Sequence, residues 1–169
     1  STWDSGTDKT IVLPLHSGGS YDFIVDWGDG NEDTITTWNQ AEATHVYALA
    51  DTDYNVTIES NRGSSGLVGW KFANGGSKSK ITDITSWGDS KNQLVISTNE
   101  AFHGCNNLLI TAANKPAITS TSFYRMFRDC TALTTIPGLD DWDISSVTNM
   151  SAMFQSATNF NSAIDSWDV

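Results

Sequence analysis

Basic residues are scarce in this chain. Nine Lys and Arg stand against twenty Asp and Glu in 169 residues, for a formal net charge of −11 at pH 7. Such a chain is poorly matched to a phosphate backbone or an anionic membrane surface, so nucleic acid drops out as a partner. Long apolar runs are missing too, and none approaches the roughly 20 residues of a membrane-spanning helix. Only two cysteines occur, with no CxxC spacing that would suit zinc. No GxSxG, HExxH, phosphate-cradling glycine loop or dinucleotide fingerprint is present, and no enzyme is expected. Charged residues reach only 17%, and Ser, Thr, Asn and Gly fill the deficit. Aromatic residues are plentiful at 11%, seven of them Trp, and groups this large argue against disorder.

Self-similarity is the strongest signal. Ala101-Phe102-His103-Gly104-Cys105-Asn106-Asn107-Leu108, Met126-Phe127-Arg128-Asp129-Cys130-Thr131-Ala132-Leu133 and Met153-Phe154-Gln155-Ser156-Ala157-Thr158-Asn159-Phe160 align without gaps. Their Phe residues lie 25 and 27 positions apart, and Trp142 and Trp167 repeat 25 apart. This period lies in the roughly 20–29 range of leucine-rich repeats. It predicts a solenoid whose coils bury a helix-like face at i, i+1, i+4 and i+7, with a short extended segment after each. Its expected core is Phe102, Cys105, Leu108, Phe127, Cys130, Leu133, Trp142, Phe154, Phe160 and Trp167. Stacking would bring Cys105 and Cys130 within bridging range. Ala157 fills the same column in the third unit, so small size alone satisfies it, and free buried thiols are favoured over a disulfide. The chain has no initiating Met and stops at Trp167-Asp168-Val169, within a repeat, which suggests a segment of something longer.

The N-terminal part reads as β-structure. Tyr21-Asp22-Phe23-Ile24-Val25-Asp26-Trp27 and Tyr54-Asn55-Val56-Thr57-Ile58 partly alternate, and Gly28-Asp29-Gly30-Asn31 is a hairpin cue. A small antiparallel sandwich is expected there, followed by a Gly/Ser/Lys connector.

Two resemblances follow. Val25-Asp26-Trp27-Gly28-Asp29-Gly30, Thr44-His45-Val46-Tyr47 and Tyr54-Asn55-Val56-Thr57-Ile58 resemble the polycystic-kidney-disease (PKD) type of Ig-like domain. Trp142-Asp143-Ile144-Ser145-Ser146-Val147-Thr148-Asn149-Met150-Ser151-Ala152-Met153-Phe154 resembles the repeat of BspA-like leucine-rich-repeat surface proteins. These resemblances imply an adhesin-type protein, extracellular on a bacterial cell surface. Its partners would be a host or neighbouring-cell protein or glycan, together with further repeats of the parent chain. The fold expected is α+β: a PKD/Ig-like antiparallel β-sandwich over 1–62, a connector and irregular capping coil over 63–98, and a leucine-rich-repeat solenoid of 25–27-residue coils over 99–169.

Candidate residues come from the outward columns of the repeat. Arg125 and Arg128 beside Tyr124 stand out in so acidic a chain, because Arg and Tyr are favoured recognition anchors. The other reading pairs Arg125 with Glu100 across the stack and leaves both arginines structural. His103 falls in the Arg128 column. Thr134, Thr135 and Asn161 make a polar strip, and Trp38 is a stacking candidate in a variable stretch. Asp26, Asp29, Asn31 and Asp33 place hard oxygen ligands around a glycine turn and are the calcium candidate. They lack the EF-hand glycine and terminal Glu, and in PKD-like domains this turn is usually structural. No other cofactor is expected. The functional expectation is non-covalent ligand binding. The competing one is a spacer or capping module of a larger surface fibre.

Overall fold

The computed structural model describes residues 1–61, 67–89 and 92–167. The residue 62/63 domain boundary and the closing Asp168 and Val169 lie outside the described residues. Short strands dominate, and turn chemistry explains their length. In chain order they are β1 (Thr2–Asp4), β2 (Thr10–Val12), β3 (Ser20–Tyr21), β4 (Phe23–Asp26), β5 (Glu32–Ile35), β6 (Thr44–Val46), β7 (Asp53–Asn55), β8 (Thr57–Ser60), β9 (Leu67–Val68), β10 (Ile81–Ile84), β11 (Val95–Ile96), β12 (Leu109–Ile110) and β13 (Ala117–Ile118). Two three-residue 3-10 helices, Ala41–Ala43 and Leu139–Asp141, are the helical structure among the described residues.

In β4 the alternation predicts a half-buried strand, and Phe23 and Val25 do turn into the core. This strand is central to an antiparallel sheet ordered β5-β4-β8, with Phe23 opposite Ile35 and Ser60. The β4–β5 hairpin turns through Gly28, which is at φ +79, and a Cβ there would sit 2.8 Å from the Asn55 carbonyl oxygen. Only glycine fits both conditions. A second pair, β2-β6, is antiparallel.

The other two sheets join early and late parts of the chain. One runs β12-β10-β1-β7, with Trp3 of β1 opposite Ile81 and Tyr54, and β10 and β12 parallel. The other runs β13-β11-β9-β3, in which β9, β11 and β13 are parallel and β3 closes the edge antiparallel. One hydrophobic cluster continues from Trp3 to Met153. Along it the ring of Trp3 lies 5.9 Å from Phe72, Phe72 lies 6.4 Å from Phe102, and Phe102 lies 5.5 Å from Phe127.

These observations correct the expected fold class. An α+β chain made of a PKD/Ig-like sandwich and a leucine-rich-repeat solenoid is not what forms. The described residues hold no α-helix, and the strands lie in several small sheets, two of them shared between early and late parts of the chain. The reason lies in the backbone of the repeat phrases. Glu100, Arg125 and Ala152 are left-handed, at φ 57, 53 and 57, and so are Asp129 and Ser156, at φ 60 and 62. A right-handed helix cannot pass through such residues. The phrases therefore fold as successive turns, whose apolar spacing coincides with a helical period without forming a helix.

Each turn bonds to the next. Glu100, Phe102 and Gly104 N–H donate to the carbonyls of Tyr124, Met126 and Arg128 at 2.8–3.0 Å. Arg125, Phe127 and Asp129 N–H donate in the same way to Ser151, Met153 and Gln155 at 2.9–3.1 Å. Equivalent side chains are thereby set above one another. Phe102, Cys105, Leu108, Phe127, Cys130, Leu133 and Trp142 are buried, while Phe154, Phe160 and Trp167 are half-buried. Cys105 and Cys130 are free thiols.

Candidate recognition face

Stacked turns place residues from successive units side by side, and one such face gathers the charges. Glu100 Oε1 lies 3.7 Å from Arg125 Nη1 and 3.4 Å from His103 Nδ1, while its Oε2 lies 3.6 Å from Lys71 Nζ. Asp129 Oδ2 accepts a hydrogen bond from His103 Nε2 at 3.2 Å and lies 3.5 Å from Arg128 Nε. Lys71 Nζ also donates to Asn99 Oδ1 at 2.9 Å. Three cations thus meet two carboxylates, a local positive excess in a chain of net charge −11. The Arg125 guanidinium carbon sits 4.6 Å from the centre of the Tyr124 ring, a cation–π distance.

These ion pairs are long and partly exposed, which makes them weak holders of the guanidinium groups. Arg125 Nε and Arg128 Nε are buried without a hydrogen-bond acceptor, so these two donors face the protein. The arginine side chains are 35% and 27% exposed, so each group is anchored on one side and open on the other. A partly exposed guanidinium lying on a tyrosine ring can hold a carboxylate or a stacked ring.

The predicted residues separate into distinct places. Arg125 lies on the Tyr124 ring, and Arg128 shares its turn, with its N–H donating to the Arg125 carbonyl at 3.2 Å. His103, expected to point outward, is instead 6% exposed and clamped between Glu100 and Asp129. The short turn carries it under the neighbouring unit, where a helix would have turned it out. Thr134, Thr135 and Asn161 are exposed, and Asn161 N–H donates to the Thr134 carbonyl at 2.7 Å. Trp38 is 47% exposed and stacks on no ring among the described residues. Sequence reasoning passed over Lys71 and Asp129. Lys71 precedes the recognisable Met-Phe phrases, so alignment of the repeats does not reach it. Asp129 is marked only by following Arg128.

The calcium candidates are already engaged. Asp26 Oδ1 accepts from Gly28 N–H at 2.8 Å, Asp29 Oδ1 from Asn31 N–H at 3.1 Å, and Asp33 Oδ2 from Trp27 Nε1 at 2.9 Å. His45 Nε2 meets Asp29 Oδ2 at 2.8 Å while its ring stacks on Trp27 at 4.8 Å. Burial pushes the Asp29 carboxyl up, but the His45 and Asn31 hydrogen bonds outweigh it and hold the group below its ordinary value. Tyr47 closes the corner by donating its hydroxyl to the Trp27 carbonyl at 3.0 Å. Among the described residues no three His, Cys, Asp or Glu side chains gather as metal ligands, and no cofactor is indicated.

Residues 70–169 match the family described as "Mycoplasma protein of unknown function, DUF285". The chain belongs to this family. The DUF285 match takes in every residue of the charged face, from Lys71 to Asp129. Neither the curated proteins nor the solved structures contain a match to the chain.

Proposed function

We propose that this chain is an extracellular ligand-binding module of a bacterial surface protein of the adhesin type. It recognises a protein or glycan ligand of a host or neighbouring cell without covalent chemistry and without a cofactor. One observation carries the reading: on the Tyr124–Arg128 strip the Arg125 guanidinium lies 4.6 Å from the Tyr124 ring centre, and the Arg125 and Arg128 side chains stay 35% and 27% exposed. Hydrogen-bonded turns hold these residues in place before a ligand arrives, which lowers the ordering cost of binding. The resemblance of Trp142–Phe154 to BspA-like surface repeats, and of the Trp27-Gly28-Asp29-Gly30 turn to PKD-like modules, supports the same assignment. A ligand bearing carboxylates suits the strip best. Calcium at Asp26, Asp29, Asn31 and Asp33 has no part in this mechanism.

The spacer reading draws on the ion pairs that run from Lys71 through Glu100 to Arg125, because they also tie successive turns together. A combined glycan and peptide array separates the two readings. The binding module lights a discrete subset of features enriched in acidic groups, and that signal weakens with added salt. A spacer lights none.

A further inference from the structure

The two carboxylates that hold the arginines of the charged face also grip one buried ring. Glu100 Oε1 lies 3.7 Å from Arg125 Nη1 and 3.4 Å from His103 Nδ1. Asp129 Oδ2 lies 3.5 Å from Arg128 Nε and 3.2 Å from His103 Nε2. Each arginine therefore shares its carboxylate oxygen with the imidazole. A carboxylate only accepts hydrogen bonds, so Nε2 carries the proton that faces Asp129. In the neutral ring Nδ1 is then a bare lone pair beside the Glu100 carboxylate. His103 is 6% exposed, and its Nδ1 is buried with no hydrogen-bond partner. Buried polar atoms without partners are rare and costly in folded proteins. A second proton on the ring gives Nδ1 a hydrogen to share with Glu100.

Other charged groups surround this arrangement. Lys71 Nζ lies 3.6 Å from Glu100 Oε2. Asn74 N–H donates to the His103 carbonyl at 3.0 Å, and the Asn74 side-chain oxygen accepts from Lys78 Nζ. Burial holds the Cys105 and Cys130 thiols of the same turns protonated, Cys130 up to about 12, so they stay neutral near pH 7. Imidazole is the side chain that changes charge between about pH 8 and 5. Hydrogen bonds from an imidazolium to a carboxylate shorten to about 2.7–2.9 Å, which draws both carboxylates toward the ring and away from the guanidinium groups.

We propose that His103 is a proton-operated control on the Tyr124–Arg128 strip, a proposal that rests on the reading of that strip as the binding surface. A proton from solvent adds to Nδ1, and Glu100 and Asp129 close on the imidazolium. Arg125 and Arg128 are thereby freed for an acidic ligand, which the strip holds more tightly in mild acid.

The test is a pH titration followed by NMR of the His103 ring and the arginine Nε–H signals, with sodium benzoate as the binding probe. Without benzoate, the Arg125 and Arg128 signals are expected to shift with the His103 midpoint. His103→Gln removes that shift. Should this buried substitution prevent folding, Asp129→Asn at a partly exposed position removes the shift for Arg128 alone. Benzoate keeps its charge over this range, as carboxylates do. It is expected to bind wild type about threefold more tightly at about pH 5.5 than at about pH 8, the effect of one added charge roughly 7 Å away in water. In His103→Gln the ratio falls to about one. Arginine signals that ignore the His103 midpoint, or that titrate unchanged in the variants, overturn the proposal. Benzoate that binds wild type equally at both pH values also overturns it, and leaves the strip reading intact. Coupled arginine signals without benzoate binding at either pH overturn the strip reading, and the control of binding with it.

Discussion

Phe102 and Phe127 stack with ring centres 5.5 Å apart and planes 4° from parallel, although 25 residues separate them in the chain. Phe127 repeats the relationship with Phe154 at 5.7 Å and 9°. Backbone bonds from Phe102 to Met126 and from Phe127 to Met153 set this spacing. The aromatic stack is thus both the core of the repeat and the support of the charged face above it.

Removing the middle ring tests that support. Phe127→Ala leaves a void between two rings and is expected to cost about 3–5 kcal/mol in urea denaturation. Phe154→Ala, at a half-buried position, is expected to cost about 1–2 kcal/mol. Equal losses at the two positions would contradict the burial difference.

The hairpin turn gives a second comparison. Gly28 and Gly30 both have positive φ, at 79 and 92, but a Cβ on Gly28 meets the Asn55 backbone whereas one on Gly30 meets nothing within 4 Å. Gly30→Ala should lose only the backbone preference, about 1–2 kcal/mol. Gly28→Ala should lose clearly more, and thermal melts of the pair read the difference.

Alkaline pH should weaken the fold through the two thiols. Burial raises Cys105 well above the ordinary thiol value of 9.0 and pushes Cys130 up to about 12. The folded state therefore favours the protonated form, so the unfolded chain ionises first. The stabilisation is full below about pH 9 and is lost as pH rises toward 12. Buried Tyr21 and Tyr47, both raised above 10.0, add to the loss at the upper end. Urea midpoints from pH 8 upward should fall, and Cys105→Ala/Cys130→Ala should flatten the early part of that fall. A midpoint independent of pH would contradict the burial of these groups.

Metal removal should do nothing. Asp26, Asp29 and Asp33 each have one carboxylate oxygen engaged in a hydrogen bond within the hairpin corner, and no three candidate ligands gather there among the described residues. Thermal melts with excess chelator and with millimolar calcium are expected to coincide. A rise with calcium would mean that these carboxylates rearrange to bind it.

The sequence made some of this visible and hid the rest for physical reasons. The 25- and 27-residue spacings of Phe102, Phe127 and Phe154 could be read directly, because large apolar groups mark positions whatever backbone carries them. The backbone itself could not be read. Left-handed conformations at Glu100, Arg125 and Ala152 lack the glycine that usually announces them, so the phrases imitated a helix. The pairing of Trp3 with Ile81 joins residues 78 positions apart and leaves no local trace. In the charged face, the placement of Arg125 and Arg128 followed from the alignment. The burial of His103 did not, since burial depends on which neighbour covers a turn. The hairpin corner was the clearest case: Trp27, His45 and Tyr47 are packed against one another as ring on ring and ring on edge.

The central claim is that Tyr124, Arg125 and Arg128 hold the ligand. The most direct measurement is the affinity of wild type and Tyr124→Ala/Arg128→Ala for the strongest acidic array feature, with thermal melts run alongside. Anchors of this kind carry more than about 1 kcal/mol each, so the double variant should bind at least about tenfold more weakly with its melt little changed. Equal affinity in the two proteins would contradict the claim, and so would the absence of any feature that wild type binds.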